Sequence, residues 1–173
     1  KGQKINVPLG LKQESFRVDC IKLDAERTKF IRDLVIYRDD KILAINKPSG
    51  LAVQGGSKLK IHLDDMLDAL SFDKKERPRL IHRLDKDTSG VMLLGRTASA
   101  TASVAKAFKM REVQKTYWAI VSGLPRPKHG TINFSLIKSG SRPIEKMSID
   151  SINGRSARTD FFTIRNSGDV ASW

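Results

Sequence analysis

A short polar stretch just ahead of an apolar run carries the side chains best suited to chemistry. Residues 82–90, "HRLDKDTSG", include a histidine, an arginine, two aspartates, a threonine and a serine, and the apolar residues 91–94 follow directly. Asp85 has Arg83 and Lys86 close to it in the chain. We expect this carboxylate to be held partly out of water beside fixed cations, which keeps it ionised because nearby positive charge favours the charged form. An ionised, oriented carboxylate is a candidate nucleophile.

A simpler interpretation explains the second half of the same stretch. Residues 87–90, "DTSG", are of the types that satisfy local backbone groups in loops and let a chain turn into a strand. This interpretation leaves "HRLD", residues 82–85, unexplained. On the residues alone, both the catalytic loop and the plain turn remain open.

The side chains that would bind a metal or a nucleotide cofactor are scattered or missing. The histidines His62, His82 and His129 and the single cysteine, Cys20, show no paired metal-ligand spacing. The sequence has neither a G-x-G-x-x-G pattern nor a Walker A pattern. We therefore expect no metal and no cofactor.

The charge of the chain favours a polyanionic partner. Its 32 lysines and arginines against 19 aspartates and glutamates give a formal net charge of +13 at pH 7. These charges are spread along the sequence, which fits phosphate contacts with nucleic acid better than binding to an anionic membrane surface. The alternative is a solvated basic surface with no partner. No apolar run approaches the roughly 18 residues of a membrane span, so we expect no membrane insertion.

Short strands and helices must position these side chains. The β-rich runs 34–37 and 42–46 predict a hairpin, and a Pro-Ser-Gly turn follows it. Apolar residues at i, i+3, i+4 and i+7 predict an amphipathic helix through Leu63, Met66, Leu67 and Leu70. The alanine-rich residues 97–110 predict a second helix with Thr97 as its N-cap.

Further strands are predicted in the second half of the chain. We expect a continuously buried strand at 91–95, and other strands at 115–123, 130–137, 145–152 and 157–164. Strands that outnumber helices indicate an α+β fold, with a mixed, largely antiparallel sheet flanked by helices. We predict an extended N-terminal arm or linker over 1–33 and a catalytic domain over 34–173.

Four stretches resemble a known family. "HRLDKDTSG" closely resembles the signature of the RluA-type RNA pseudouridine synthases, and three other stretches are similar to family elements in the same order: "NKPSGLAVQGG" (46–56), "KTYWAIVSG" (115–123) and "GRSARTDFFTI" (154–164). Together they span 119 of the 173 residues, from 46 to 164. The continuation "AVQGGS" is most like the RluC-type branch, which acts on large-subunit ribosomal RNA.

The resemblance implies conversion of uridine to pseudouridine in RNA without a cofactor. Asp85 is then the catalytic residue, which attacks C1′ of the ribose or assists glycal formation. Arg83, Tyr117 and His82 are the substrate-binding candidates: Tyr117 stacks on the uracil, Arg83 meets a phosphate or fills the space of a flipped base, and His82 orients the loop. The expected partner is RNA, ribosomal rather than transfer, and the expected state is a monomer in the cytoplasm or an organelle matrix.

One family segment has no match. The Thr-Gly-Arg-x-His-Gln-x-Arg segment, whose arginine is thought to pair with the catalytic aspartate, is not found before Trp173. We therefore expect a truncated catalytic domain, and two other interpretations stay open. One is a catalytically silent RNA-binding module or ribosome assembly factor of the same fold. The other is a generic basic ribosome-associated protein, which explains the charge but not residues 82–90.

Overall fold

A computed structural model of the protein describes residues 25–55, 61–140 and 146–173. The chain forms two compact units, with the boundary between Lys115 and Thr116. The first unit contains the loop with Asp85, and the second contains Tyr117.

The first unit is built on a four-stranded antiparallel sheet. Its strands are β1 (Val35–Arg38), β2 (Ile42–Lys47), β3 (Arg79–Leu80) and β4 (Gly90–Gly95), in the spatial order β1-β2-β4-β3. β1 and β2 form the predicted hairpin. In its turn the carboxylate of Asp39 accepts hydrogen bonds from the backbone N–H groups of Lys41 and Ile42, both at 2.7 Å. This aspartate therefore explains why the chain reverses between the two apolar runs.

Three helices flank this sheet: α1 (Ala25–Asp33), a 3-10 helix (Leu63–Leu70) and α2 (Ala98–Lys109). The amphipathic helix predicted from apolar spacing is confirmed as this 3-10 helix, and all four of its predicted apolar positions are buried. The N-cap prediction for α2 is confirmed as well, because the hydroxyl of Thr97 accepts a hydrogen bond from the N–H of Ala100 at 3.1 Å.

The apolar core of the first unit lies on one face of its sheet. It combines residues of β2 and β4 with the 3-10 helix and with Ile31 of α1. The prediction of a continuously buried strand at 91–95 is wrong in part. Met92 and Leu94 are buried, whereas Val91 is 57% exposed. Because successive side chains of a strand point to opposite faces, Met92 and Leu94 face the apolar core and Val91 does not.

The N-terminal arm is predicted to be extended, but residues 25–33 form α1. Ile31 of this helix is fully buried, so burial against the core favours helix over an open linker there. The rest of the predicted arm, residues 1–24, lies outside the described residues. The boundary between arm and catalytic domain at residue 34 stays a prediction.

The second unit contains two small antiparallel sheets. One has the order β7-β6-β8, with β6 (His129–Ser139), β7 (Lys146–Ile149) and β8 (Arg155–Phe162). The other has the order β5-β10-β9, with β5 (Val121–Ser122), β9 (Asn166–Ser167) and β10 (Ala171–Ser172). The strands predicted within 130–137, 145–152 and 157–164 correspond to β6, β7 and β8 and are confirmed.

The prediction of a strand at 115–123 is wrong for most of these residues. Only Val121 and Ser122 pair, as β5, and their partner β10 is two residues long. In the preceding residues Trp118 is 84% exposed and Ile120 is 72% exposed. A β-prone run becomes a strand only where a partner strand satisfies its backbone groups, and the described residues offer none before Val121.

The fold class is α+β, as predicted from the sequence. Every strand pairing in the described residues is antiparallel. The described strands form three sheets rather than the single sheet expected. Among these residues there is also no helix long and apolar enough to cross a membrane.

Candidate active site

The polar stretch forms the connection between β3 and β4. Within it Leu84 is buried, whereas its neighbours Arg83 and Asp85 are both exposed. The expectation that Asp85 is held partly out of water is therefore wrong for this structure. Because Leu84 occupies the core position, the side chains on either side of it are directed to solvent.

The turn after β2 supports this loop through its backbone. The N–H of Gly50 donates to the carbonyl of Lys86 at 2.9 Å. The hydroxyl of Ser49 donates to the carbonyl of Asp87, also at 2.9 Å. Gly50 has a φ of 87°, a conformation in which a residue without a side chain is strongly favoured. The Pro-Ser-Gly turn thus fixes the chain immediately after Asp85.

A buried lysine lies beneath the same loop. Lys47 is fully buried, and its ammonium donates to three backbone carbonyls, one of which is that of Lys86 at 3.1 Å. Burial lowers the pKa of Lys47, while the carboxylates of Asp87 and Asp85 act to raise it. Three carbonyl acceptors match the three N–H donors of an ammonium group. Lys47 is therefore a structural cation that holds the loop.

His82 fixes the other end of the loop. Its Nε2 accepts a hydrogen bond from the backbone N–H of Leu93 at 3.0 Å. Its ring stacks on Phe108 of α2, with centroids 4.5 Å apart and planes 21° from parallel. Burial lowers the pKa of His82, and the charge of Lys115 lowers it further, against a backbone hydrogen bond with Arg83 that raises it. The ring is therefore suited to its neutral form.

Three of the four predicted site residues lie together on the loop between β3 and β4. Tyr117, the fourth, lies in the second unit and is 60% exposed. Its aromatic face is thus accessible, as a base-stacking role requires. It precedes β5 and lies outside any strand of the described residues.

The loop residues can attract and orient an anionic substrate. Asp85 offers a carboxylate, and the exposed side chains of Arg83 and Lys86 offer positive charge beside it. An arginine guanidinium suits phosphate oxygens because of its planar fork of donors. The same loop therefore combines a candidate nucleophile with groups suited to phosphate.

A cavity of about 380 Å³ lies elsewhere in the first unit. Arg96, which lines it, follows the end of β4 opposite to Gly90 and the loop. Its main charges are paired: Arg96 meets Asp73 at 2.6 Å, and Asp40 meets Lys74 at 3.1 Å. The charged side chains at this cavity therefore form ion pairs at the end of the sheet, which is a structural role.

The sequence alone does not identify every residue that shapes the site. Phe108 and the amide of Leu93 are missed, because their contacts with His82 join elements that are distant in the chain. One signal was available for Phe108. Val104 and Phe108 are four residues apart and half-buried, which places them on one side of α2. In the described part of the chain, no three histidine, cysteine, aspartate or glutamate side chains form a metal-binding group.

Comparison with known proteins identifies the family and agrees with the fold. The family model described as RNA pseudouridylate synthase matches residues 41–172, so the chain belongs to that family. The resemblance inferred from the sequence motifs is thereby confirmed.

Individual relatives are also named as pseudouridine synthases. The chain is 35% identical to RNA pseudouridine synthase 4, mitochondrial, of Arabidopsis thaliana, over 99% of this chain and 37% of the relative. It is 36% identical to ribosomal large subunit pseudouridine synthase C of Rickettsia conorii, over 94% of this chain and 53% of the relative. The chain thus spans about a third to a half of the length of these relatives.

A solved structure is similar as well. The structure of human RNA pseudouridylate synthase domain containing 4 has a TM-score of 0.70 and 27% sequence identity. The similarity covers 84% of this chain and 58% of the human one.

Proposed function

We propose that this chain is part of an enzyme that isomerises uridine to pseudouridine in RNA. One observation carries the proposal. Asp85 is exposed on a loop whose backbone is hydrogen-bonded to the turn at Gly50 and to the buried Lys47, in a chain of this family. A reactive carboxylate on a fixed backbone can meet a substrate atom without rearranging, which is the main benefit of a preorganised site.

The chemistry exchanges one glycosidic bond for another. The N1–C1′ bond of the uridine breaks, the uracil turns while it is bound, and a C5–C1′ bond forms. C5 loses its proton and N1 gains one, so the product is an isomer of the substrate. In one route Asp85 attacks C1′ and is expelled when C5 attacks; in the other it assists formation of a glycal.

The remaining predicted residues bind the substrate around this reaction. Arg83 holds a backbone phosphate or fills the space that the uridine leaves when it flips from its stack. Tyr117 stacks on the uracil. Their exposure supports these roles, because both side chains are open to a substrate from solvent.

The proposed substrate is large-subunit ribosomal RNA. The Rickettsia relative is named for the ribosomal large subunit, and the net charge of +13 suits a long polyanion. The proposed location is the cytoplasm or an organelle matrix, since the relatives include a bacterial protein and one named mitochondrial. A monomeric state stays a prediction.

The test uses the natural full-length protein and unmodified transcripts of large-subunit ribosomal RNA and transfer RNA. Pseudouridine keeps the mass of uridine, so it is detected by carbodiimide labelling. We expect labelled positions in the ribosomal transcript and none in the transfer transcript. RNA that is retained on filters without any label would support the catalytically silent module and overturn the proposal. Label in transfer RNA alone would support the isomerase activity and overturn the proposed ribosomal substrate.

A further inference from the structure

We propose that His82 is a positioning residue that ends the pairing between β3 and β4 and thereby sets the direction of Asp85. The inference rests on the proposed function, because it assigns His82 a role in the same reaction. It gives the loop-orienting role expected of His82 a physical basis in two contacts.

The strand pairing shows what His82 replaces. β3 pairs with β4 at two positions only, Arg79 with Gly95 and Leu80 with Leu94. The next residue of β4 in that direction is Leu93. The backbone N–H of Leu93 donates to Nε2 of His82 at 3.0 Å. This N–H therefore has an acceptor at the point where the pairing between β3 and β4 stops. The imidazole thus does for β4 what a carbonyl of a longer β3 would do.

The orientation of the ring is determined from two sides. The hydrogen bond from Leu93 fixes the direction of Nε2, and stacking on Phe108 at 4.5 Å fixes the plane. An Nε2 that accepts carries no proton, so the neutral ring holds its proton on Nδ1. The ring is half-buried and stacked on Phe108, and is thus suited to support rather than to substrate contact.

The consequence for the nucleophile follows from the loop's short length. His82 anchors the chain where it leaves the sheet, and the carbonyl of Lys86 is anchored on the turn at Gly50. Between these anchors lie three residues, 83–85, of which Leu84 is buried. Little freedom remains, and the anchor at His82 therefore decides where the side chain of Asp85 points. A displacement of about 1 Å in a reacting group is enough to lower a rate by about 100-fold.

Two substitutions separate the hydrogen bond from the ring. His82→Phe keeps a ring to stack on Phe108 and removes the acceptor for Leu93. His82→Gln restores an amide oxygen at similar reach and removes the ring. We expect kcat for pseudouridine formation to fall by about 100-fold in His82→Phe, with KM nearly unchanged, and to recover largely in His82→Gln. His129→Phe, at an exposed histidine of β6, is the matched control and should behave as the parent.

The outcomes distinguish this inference from the proposed function. A parent protein that forms no pseudouridine overturns the function itself. With an active parent, a His82→Phe variant of normal kcat overturns the positioning role, and so does a loss confined to KM or a Gln variant as impaired as Phe. If His82→Phe does not fold, the hydrogen bond is tested in the parent protein by NMR. A scalar coupling between the Leu93 amide nitrogen and Nε2 of His82 is expected, and its absence overturns the hydrogen bond on which the role depends.

Discussion

Asp85 is exposed, whereas three of the side chains that fix its loop are buried or half-buried. Leu84 fills a core position beside it, Lys47 binds the carbonyl of Lys86 from beneath, and His82 binds the backbone of β4. A buried ammonium is costly unless its donors are satisfied, and here three carbonyls satisfy them. The proposed nucleophile is therefore open to solvent, while burial and hydrogen bonds hold its neighbours in place.

The protonation of His82 makes the stability of the fold depend on pH. Burial and the charge of Lys115 lower its pKa below the ordinary value of 6.5, against the opposing backbone hydrogen bond of Arg83. The unfolded chain therefore takes up this proton at a higher pH than the folded chain. The stabilisation is complete above about pH 6.5 and is lost progressively as the pH falls below that value.

We expect urea titrations to show a free energy of unfolding that decreases as the pH falls from about 6.5. Aspartates with lowered pKa, such as Asp39 and Asp73, start from 3.8 and contribute only in stronger acid. His82→Gln does not titrate and should reduce the slope. A parent with the same slope as His82→Gln would show that this histidine is not responsible.

The elements that depend on local patterns were predictable from the sequence. The hairpin follows from two β-rich runs around Asp39, the 3-10 helix from the spacing of its four leucine and methionine residues, and α2 from its cap at Thr97. The strand at 115–123 was overpredicted because strand formation depends on a partner that local sequence does not show. The loop-orienting role of His82 was expected, but its contacts with β4 and α2 were not, because they join elements that are distant in the chain.

The cap of α2 can be tested by itself. The hydroxyl of Thr97 accepts from the N–H of Ala100, so Thr97→Ala leaves a helix N-terminal donor without its partner. We expect the free energy of unfolding to fall by about 1 kcal/mol. Thr97→Ser keeps the hydroxyl and is the control. Equal stability of the alanine and serine variants in urea titrations would contradict the cap.

In the whole molecule, the two units differ in how they are packed. All buried apolar side chains of the described residues lie in the first unit, from Ile31 to Leu94. In the second unit Ile132 and Phe134 of β6, which share one face of their sheet, are each 49% exposed. The proposed nucleophile thus belongs to the unit with the larger apolar core, and its loop is supported by that core through the buried Leu84.

The net charge of +13 is distributed over the whole chain, whereas the proposed chemistry depends on one carboxylate. RNA affinity depends on many phosphate contacts and the counterions they release. Removing a single negative charge should not weaken such binding. Binding and catalysis are therefore expected to separate in a single substitution.

Asp85→Asn in the natural full-length protein tests this separation, because the amide keeps the shape of the side chain and removes the nucleophile. Pseudouridine formation is measured by carbodiimide labelling of large-subunit ribosomal RNA, and RNA affinity by filter binding across a salt series. We predict that labelled product disappears while the affinity and its dependence on salt stay those of the parent. Labelled product from Asp85→Asn at a rate near that of the parent would contradict the assignment of Asp85 as the nucleophile.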